Sequence, residues 1–257
     1  MGGRVPEGAL RGRTVVVTGG TRGIGRAAAV TAAAAGADVM TLSRHPAPDL
    51  VADLSRYDVE VRTLVADVTD ATAVEDACAE VLATTGRVDA LVNNAGGLFA
   101  PRRPFWEYDP GEFDRVIDLN LGSAFLCSSV FSVPMRAARS GRIVNIGSDA
   151  VVSGLPNLSH YLAAKAGLVG LSRGMASDLG PFGITVNTVS PGLVVTESNE
   201  ADLTEEHRLG AVARQRLGRS LVPTDLSGAI VFLLTDAAAM ITGQVLQVNG
   251  GATMGPT

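Results

Sequence analysis

The fold is decided by one stretch near the N-terminus, Thr14-Val15-Val16-Val17-Thr18-Gly19-Gly20-Thr21-Arg22-Gly23-Ile24-Gly25. A short β-branched run ends in a glycine-rich turn, and a helix-like segment begins directly after it. Glycine allows a tight turn, a close approach of the backbone to a pyrophosphate, and close packing of the helix on the sheet. Free N–H groups at the start of that helix bind anions. The stretch therefore predicts a strand, turn and helix that hold a dinucleotide, although its glycine spacing differs from the common GxGxxG.

The alternation of strand and helix continues along all 257 residues. Apolar β-branched runs predict buried strands at residues 14–18, 38–42, 59–65, 90–93, 142–146, 185–189 and 245–248. Their continuous apolar character is typical of parallel strands covered on both faces. Periodic segments predict helices at residues 23–35, 70–85, 110–138, 159–179 and 224–233. We therefore predict an α/β fold with one domain over residues 1–257, a Rossmann-type doubly wound sheet of about seven parallel strands with helices on both faces.

Residues 193–222 depart from this alternation, because polar and charged residues separate the sixth strand from the last long helix. We interpret the segment as a helical excursion over the carboxyl ends of the strands, where ligands bind in such sheets. It is predicted to be a substrate lid. An ordinary surface pair of helices is the alternative.

Composition argues against several classes of function. The formal net charge is −5 and the basic residues are dispersed, so neither a nucleic acid nor a membrane is expected as a partner. The N-terminus lacks an apolar signal segment, and no uninterrupted apolar run reaches the roughly 18 residues of a membrane span. A cytoplasmic protein is predicted. Cys78 and Cys127 lack metal-ligand spacing, and His45 and His207 lie in polar segments without converging acids, so no metal site is predicted.

The end of the second predicted strand indicates which dinucleotide binds. NAD sites usually place a carboxylate there for the ribose 2′-hydroxyl, but this strand ends in Leu42-Ser43-Arg44. A 2′-phosphate would meet Arg44, and Arg22 in the glycine-rich turn adds a second cation. Guanidinium groups match phosphate geometry. The sequence therefore predicts NADP(H) rather than NAD(H).

A second motif, Tyr161-Leu162-Ala163-Ala164-Lys165, follows Ser148 by thirteen residues. Four residues are about one helical turn, so the phenol and the ammonium share a helix face, where the cation can lower the phenol's pKa from about 10. A tyrosine can then donate or accept a proton near neutral pH. Taken singly, the pair would usually be a surface contact and Ser148 a loop residue. Their order behind a dinucleotide motif favours a catalytic interpretation.

Together these residues resemble the short-chain dehydrogenase/reductase family, in its branch of chains about this long. The resemblance extends from about Gly12 to the C-terminal Asn249-Gly250-Gly251. The elements that fall in the family's order and spacing are the glycine-rich turn, Asp67-Val68, Asn93-Asn94-Ala95-Gly96, Asn120, Ser148, Tyr161 with Lys165, and Pro191-Gly192. Within the family, the chain is similar to 3-oxoacyl-[acyl-carrier-protein] reductases and related bacterial ketone reductases.

The resemblance implies the cofactor contacts. Asp67 should accept a hydrogen bond from the adenine amino group, and Val68 should pack beside the ring. Asn94 should lie against the cofactor, the backbone of Val194 should meet the nicotinamide carboxamide, and Thr196 should lie near the phosphates. The full implied set is Gly19, Thr21, Arg22, Gly23, Ile24, Gly25, Ser43, Arg44, Asp67, Val68, Asn94, Ala95, Gly96, Tyr161, Lys165, Pro191, Gly192, Val194 and Thr196.

The predicted reaction is reversible reduction of a ketone to a secondary alcohol. Hydride would come from the nicotinamide and the proton from Tyr161, the general acid and base. Ser148 would polarise the carbonyl, and Lys165 would lower the pKa of Tyr161 and bind the nicotinamide ribose. By the resemblance, Asn120 should hold a water that links Lys165 to solvent.

The substrate and the assembly are predicted less directly. Leu98, Phe99 and residues 150–155 suggest an apolar pocket, which favours a hydrophobic or cyclic ketone or a 3-oxoacyl thioester. A non-catalytic NADP-binding regulator and a nucleotide-sugar epimerase or dehydratase are the alternatives. The regulator would tolerate loss of the catalytic residues, which are all present, and the epimerase would carry a separate substrate domain. The family resemblance implies a homotetramer.

Overall fold

The computed structural model describes residues 6–98, 101–197, 199–200 and 203–254. Within these ranges the chain forms a seven-stranded parallel sheet in the order β3-β2-β1-β4-β5-β6-β7. The strands are β1 (Thr14–Thr18), β2 (Asp38–Ser43), β3 (Val61–Val65), β4 (Ala90–Asn93), β5 (Gly141–Ile146), β6 (Ile184–Pro191) and β7 (Val245–Val248). The predicted single α/β domain is confirmed, and no strand end differs from the prediction by more than two of the described residues.

Helices fill the connections between the strands. They are α1 (Gly23–Ala34), α2 (Pro48–Leu54), α3 (Ala71–Thr85), α4 (Pro110–Ile117), α5 (Ser123–Ala138), α6 (Ala150–Ser153), α7 (Ser159–Leu179), α8 (Glu205–Arg214) and α9 (Pro223–Leu234). Side-chain hydrogen bonds fix where several of these helices begin. Asp70 accepts hydrogen bonds from the backbone N–H groups of Thr72 and Ala73 at the start of α3. Asp109 and Glu112 form a capping box at the start of α4.

Both faces of the sheet are covered. The pleat of β1 sends Val15 and Val17 to one face and Val16 to the other. On the first face these side chains pack with apolar residues of α1, α2 and α9, and on the second with residues of α3, α5 and α7. Such burial explains why the strands read as continuous apolar runs rather than as alternating patterns.

The predicted single helix over residues 110–138 is interrupted. Between α4 and α5 the five residues Asp118–Gly122 form a π-helical turn, which widens the helix by one residue per turn and often marks a functional site. The whole segment Pro110–Ala138 is the one helix of the described ranges that is long and apolar enough to cross a membrane. A core helix passes that test as well, and Phe131 and Met135 of α5 are fully buried against the sheet.

The two ends of the predicted lid lie side by side. Val194 and Leu221 form an isolated parallel bridge, and the N–H of Val195 donates to the carbonyl oxygen of Leu221 at 3.0 Å. Between these ends the segment contains α8, as a helical excursion requires, and its role as a substrate lid stays a prediction. Residues 198, 201 and 202 of the segment lie outside the described ranges.

Candidate active site

The glycine-rich turn lies between β1 and α1, where the strand order reverses and a crevice opens at the carboxyl ends of the strands. Gly19 and Gly23 have positive φ angles of 62° and 54°, a conformation that favours glycine. A Cβ on Gly25 would lie 2.3 Å from the carbonyl oxygen of Gly19, and one on Gly20 would lie 2.6 Å from Cγ2 of Thr41. The turn is therefore a cradle of bare backbone at a helix start, which fits the pyrophosphate of a dinucleotide.

Asn94 braces this turn. Its Nδ2 donates to the carbonyl oxygens of Thr18 at 2.9 Å and Gly19 at 3.0 Å. In return, the Thr18 hydroxyl accepts from the backbone N–H groups of Asn94 and Ala95, each at 3.0 Å. These bonds tie the end of β4 to the end of β1. Asn94 thus positions the glycine-rich turn, a role that the sequence analysis missed, while its contact with the cofactor stays a prediction.

A side-chain carboxylate of the same chain binds at the start of α1. The N–H of Gly23 donates to Oε2 of Glu197 at 3.2 Å, and Thr196 packs beside the same glycine. Glu197 follows β6 and belongs to the predicted lid. A side-chain carboxylate therefore occupies the helix start that the sequence assigns to the pyrophosphate.

The predicted adenosine end lies where β2 and β3 finish. The hydroxyl oxygens of Thr21 and Ser43 are 3.3 Å apart, which joins the glycine-rich turn to the end of β2. The pKa of Asp67 is lowered, chiefly by a hydrogen bond from the backbone N–H of Thr69, and also by the positive charge of Arg44. Asp67 is thus an ionised acceptor near a guanidinium, as binding of an adenine amino group and a phosphate would require.

The predicted catalytic side chains meet where β5 ends and α7 begins. Lys165 is buried, and its Nζ donates to the carbonyl oxygen of Ile146 at 2.8 Å. The same Nζ lies 5.7 Å from the centroid of the Tyr161 ring. Ser148 lies two residues after the end of β5, and its hydroxyl is close enough to Tyr161 to lower the pKa of the phenol. Lys165 is the only lysine in the sequence.

The pKa values of this group follow mainly from burial. Burial raises the pKa of Tyr161, the Ser148 hydroxyl lowers it, and the charge of Asp149 raises it. Burial lowers the pKa of Lys165 to about 8. The pKa of Tyr161 is therefore above its ordinary value, and the lowering of this pKa by Lys165 stays a prediction.

Asn120 lies at the centre of the π-helical turn. Its Oδ1 accepts from the N–H of Gly97 at 2.9 Å, and its Nδ2 donates to the carbonyl oxygens of Gly97 and Val116, each at 3.0 Å. A Cβ on Gly96 would lie 2.7 Å from Oδ1 of Asn120 and 3.4 Å from Nζ of Lys165. Asn120 therefore fixes the connection after β4 against the lysine. The water that it is predicted to hold stays a prediction.

One cleft of about 1560 Å³ brings the predicted residues together. Of the predicted set, the residues that line this cleft are Gly19, Thr21, Arg22, Gly23, Ile24, Ser43, Arg44, Asp67, Val68, Asn94, Ala95, Gly96, Ser148, Tyr161, Lys165, Pro191, Gly192, Val194 and Thr196. Gly25 and Asn120 support the wall from behind. The cleft thus joins a dinucleotide cradle to a phenol, a hydroxyl and an ammonium.

A family model described as enoyl-(acyl carrier protein) reductase matches residues 19–253. An L-rhamnose 1-dehydrogenase (NAD(P)(+)) from Sphingomonas sp. is 38% identical over 247 residues, 94% of this chain and 96% of the relative. The chain belongs to the short-chain dehydrogenase/reductase family. As a member of it, the protein is an NAD(P)-dependent oxidoreductase that acts on carbonyl or alcohol substrates.

Other relatives differ in their substrates. The 3-oxoacyl-[acyl-carrier-protein] reductase FabG of Escherichia coli is 37% identical over 246 residues, 95% of this chain and 99% of the relative. A candidate NAD(P)-dependent gluconate 5-dehydrogenase from Beutenbergia cavernae, solved with bound NADP at low occupancy, superposes with a TM-score of 0.89 at 39% identity. That comparison covers 96% of this chain and 99% of the other.

The cleft of this short-chain dehydrogenase/reductase is lined by charged as well as apolar residues. Leu98, Ala150 and Leu155 line it as predicted, residues 151–154 do not, and Phe99 lies outside the described residues. Further charged residues that line the cleft are Arg102, Glu112, Arg115, Asp118, Asp149 and Arg214. Asp149 directly follows Ser148 in the sequence. The apolar substrate pocket stays a prediction.

Proposed function

We propose that the protein is an NADP(H)-dependent ketone reductase that forms a secondary alcohol reversibly. The observation that carries this proposal is the shared cleft, in which Ser148, Tyr161 and Lys165 stand beside the glycine cradle. A polar proton donor next to a dinucleotide site is the arrangement that hydride transfer to a carbonyl requires. The family relationship supports the same reaction class.

The chain's own part in the reaction is delivery of a proton. Nicotinamide supplies the hydride when bound. Tyr161 donates its hydroxyl proton to the developing alkoxide oxygen, and its raised pKa keeps that proton in place until the alkoxide forms. The Ser148 hydroxyl donates a hydrogen bond to the same substrate oxygen and stabilises its negative charge. In the oxidation direction, both steps run in reverse.

Lys165 and Asn120 hold this arrangement in place. Lys165 is anchored through its bond to the Ile146 carbonyl, which leaves two further donors for a ribose and a water. Its charge stabilises the tyrosinate that remains after proton transfer. Asn120 keeps the connection after β4 in position through both of its bonds to Gly97.

NADP(H) is proposed over NAD(H) because Arg22 and Arg44 line the adenosine end and the end of β2 carries Ser43 instead of a carboxylate. Replacing Arg44 by Glu should lower NADPH affinity by more than tenfold and leave NADH affinity nearly unchanged or improved. Both affinities are measured by nicotinamide fluorescence on binding. Arg56→Glu, an exposed charge reversal that does not line the cleft, is the control. An unchanged preference in Arg44→Glu would contradict the assignment.

The reaction class is tested by following oxidation of NADPH at the nicotinamide absorbance, with NADH in parallel. The panel contains cyclic ketones, aryl ketones and 3-oxoacyl thioesters, which the leucines of the cleft and the acyl reductases among the relatives support. Turnover of one class with NADPH preferred supports the proposal. Tight NADPH binding without turnover of any ketone would favour the non-catalytic regulator.

Assembly and location are proposed as well. Phe125 and Val133 are 58% and 54% exposed on α5, and a Cβ on Gly170 or Gly174 of α7 would meet no described atom within 4 Å. Such apolar and small surfaces suit helix pairing between subunits of a homotetramer. A monomer in light scattering at micromolar concentration would contradict it. The proposed site of action is the cytoplasm, without a membrane or nucleic acid partner.

A further inference from the structure

Asp149 occupies a rigid position at the substrate end of the cleft. It directly follows Ser148 and is held by its backbone, since its N–H donates to the carbonyl oxygen of Pro191 at 2.9 Å. Its own carbonyl oxygen accepts from the N–H groups of Val152 and Ser153 at 3.0 Å. Asp149 precedes α6, but its side chain makes no capping hydrogen bond there. The carboxylate is therefore not used to start the helix.

The carboxylate of Asp149 is poorly partnered for a group that is only partly exposed. Its one hydrogen bond with a described residue comes from Nδ2 of Asn249 at 3.5 Å, and that amide lies much closer to Oγ1 of Thr253, at 2.7 Å. No described Lys, Arg or His nitrogen comes within 4.0 Å of it. Burial raises its pKa, while Asn249 and the charge of Arg214 lower it. A half-buried carboxylate without close protein donors depends on water for its hydrogen bonds, and a ligand hydroxyl that displaces this water can donate to it instead.

The position of this carboxylate relates it to the reacting atoms. Its charge raises the pKa of Tyr161, so the two groups are within electrostatic reach. Both line the same cleft as Ser148, and Arg214, at the end of α8 in the lid, lines it too. Asp149 therefore lines the same space as a substrate oxygen that Ser148 and Tyr161 would hold.

We propose that Asp149 accepts a hydrogen bond from a hydroxyl group on the carbon next to the reacting carbon. The substrate class is then an α-hydroxy ketone and its vicinal diol product, including cyclic polyhydroxylated compounds, rather than a ketone without a hydroxyl. This inference rests on the proposed ketone reductase activity and narrows its substrate. A site built to bind a hydroxyl discriminates strongly against an analogue that lacks it, because the carboxylate then stays unpaired.

The test measures binding in a background that cannot turn over. Tyr161→Phe protein is saturated with NADP⁺, or with NAD⁺ if that binds more tightly, and titrated calorimetrically with cis- and trans-1,2-cyclohexanediol and with cyclohexanol. We expect at least one diol to bind tenfold more tightly than cyclohexanol. Asp149→Ala in the same background should remove that preference and leave cyclohexanol affinity within twofold. Asp149→Asn, which keeps an acceptor oxygen and the side-chain shape, should retain part of it.

Asp76→Ala is the matched control, since Asp76 is an exposed carboxylate on α3 that does not line the cleft. Equal affinity for the diols and cyclohexanol, or a diol preference that survives Asp149→Ala, would overturn the inference. Turnover is measured separately on unmodified protein with the diols and cyclohexanol. Selective diol binding without any turnover would contradict the proposed reaction and leave the role of Asp149 standing.

Discussion

The two ends of the cleft are built from different materials. The cofactor end is shaped by bare backbone. Gly19, Gly20 and Gly25 lie so close to neighbouring atoms that little or no room is left for a Cβ. The substrate end is shaped by side chains. Ser148 and Asp149 lie between β5 and α6, Tyr161 lies in α7 and Arg214 in α8, and all four line the cleft.

This difference teaches where sequence motifs are informative. Close backbone packing has few solutions, so the cofactor end needs glycine at fixed spacings and can be recognised from them. Side chains that project into open space can change one at a time without disturbing the fold. The substrate end is therefore defined by the chemistry of single side chains such as Ser148 and Tyr161, and the role proposed for Asp149 likewise depends on one residue.

The sharpest way to separate the two ends is Tyr161→Phe. Loss of the proton donor should lower kcat by about 100-fold to 10,000-fold. NADPH affinity should stay within about threefold, because the cradle is formed by the other end of the cleft. Steady-state kinetics and fluorescence titration measure the two effects. Equal loss of affinity and turnover would mean that the two ends are not separable.

Gly25→Ala should break the cofactor end. The new methyl group would lie 2.3 Å from the Gly19 carbonyl oxygen and 2.4 Å from Nδ2 of Asn94. Overpacking of this kind typically costs 1–3 kcal/mol of stability, and we expect NADPH affinity to fall at least tenfold, or about 1.4 kcal/mol.

The control for Gly25→Ala is Gly210→Ala on α8, where a Cβ meets no described atom within 4 Å. That change should leave affinity unaltered. Urea unfolding measures the stability of both variants, and NADPH titration measures their cofactor affinity. Normal NADPH affinity in Gly25→Ala would show that the turn can relax and that its shape is not required.

Lys165 lies between the cofactor end and the substrate end of the cleft. Its titration should change the free energy of unfolding with pH. Its pKa is lowered to about 8 in the folded chain, against 10.5 ordinarily. Between these values the unfolded chain holds a proton that the folded chain has released, so this group makes the free energy of unfolding rise with pH, by at most about 1.4 kcal/mol per unit. Lys165→Met should lack that rise. Because Lys165 is the only lysine, no other lysine contributes.

The measurement is urea unfolding of wild type and Lys165→Met without cofactor at pH 7.5, 8.5 and 9.5. The difference between the two proteins is what matters, because Cys78 and Cys127 act in the opposite direction in both. Burial raises the pKa of each thiol, so each one lowers stability as pH rises through its unfolded pKa near 9. A difference that does not change with pH would contradict the lowered pKa of Lys165.

The smallest expected effect on cofactor affinity concerns Glu197, which belongs to the predicted lid and bonds to the glycine-rich turn. Its carboxylate accepts from the N–H of Gly23 and competes with a phosphate for the start of α1. Glu197→Gln should therefore raise NADPH affinity by roughly two- to fivefold, which corresponds to the 0.3–1 kcal/mol typical of a charge at a helix end. Glu205→Gln, in the first turn of α8, is the control. Weaker binding in Glu197→Gln would show that the carboxylate supports the cofactor site instead.

The sequence predicted the sheet and most of the site because those features depend on local patterns. The apolar run of β1 and the glycines after it were sufficient to place the cradle, and all the predicted catalytic and cofactor-binding residues except Gly25 and Asn120 line one cleft. The distance of one helical turn between Tyr161 and Lys165 likewise brought both to the same place.

The remaining features depend on contacts between distant parts of the chain. Glu197 reaches Gly23 across 174 residues, and Asn94 reaches Thr18 across 76. The raising of the Tyr161 pKa by burial could not be predicted from residue spacing, because burial is a property of the assembled cleft. The π-helical turn was not predicted either, because five residues are too few for apolar periodicity to distinguish a π-helix from an α-helix.

That turn makes the enzyme sensitive to the length of a helix. A π-helical turn is equivalent to one residue inserted into an α-helix. Deleting one residue from Asp118–Gly122 would let α4 and α5 fuse into a regular helix and would rotate α4 by about 100° relative to α5. Asn120 would then lose its hydrogen bonds to Gly97 and Val116 together. Between β4 and β5, therefore, the site depends on the number of residues in the helix as well as on their identity.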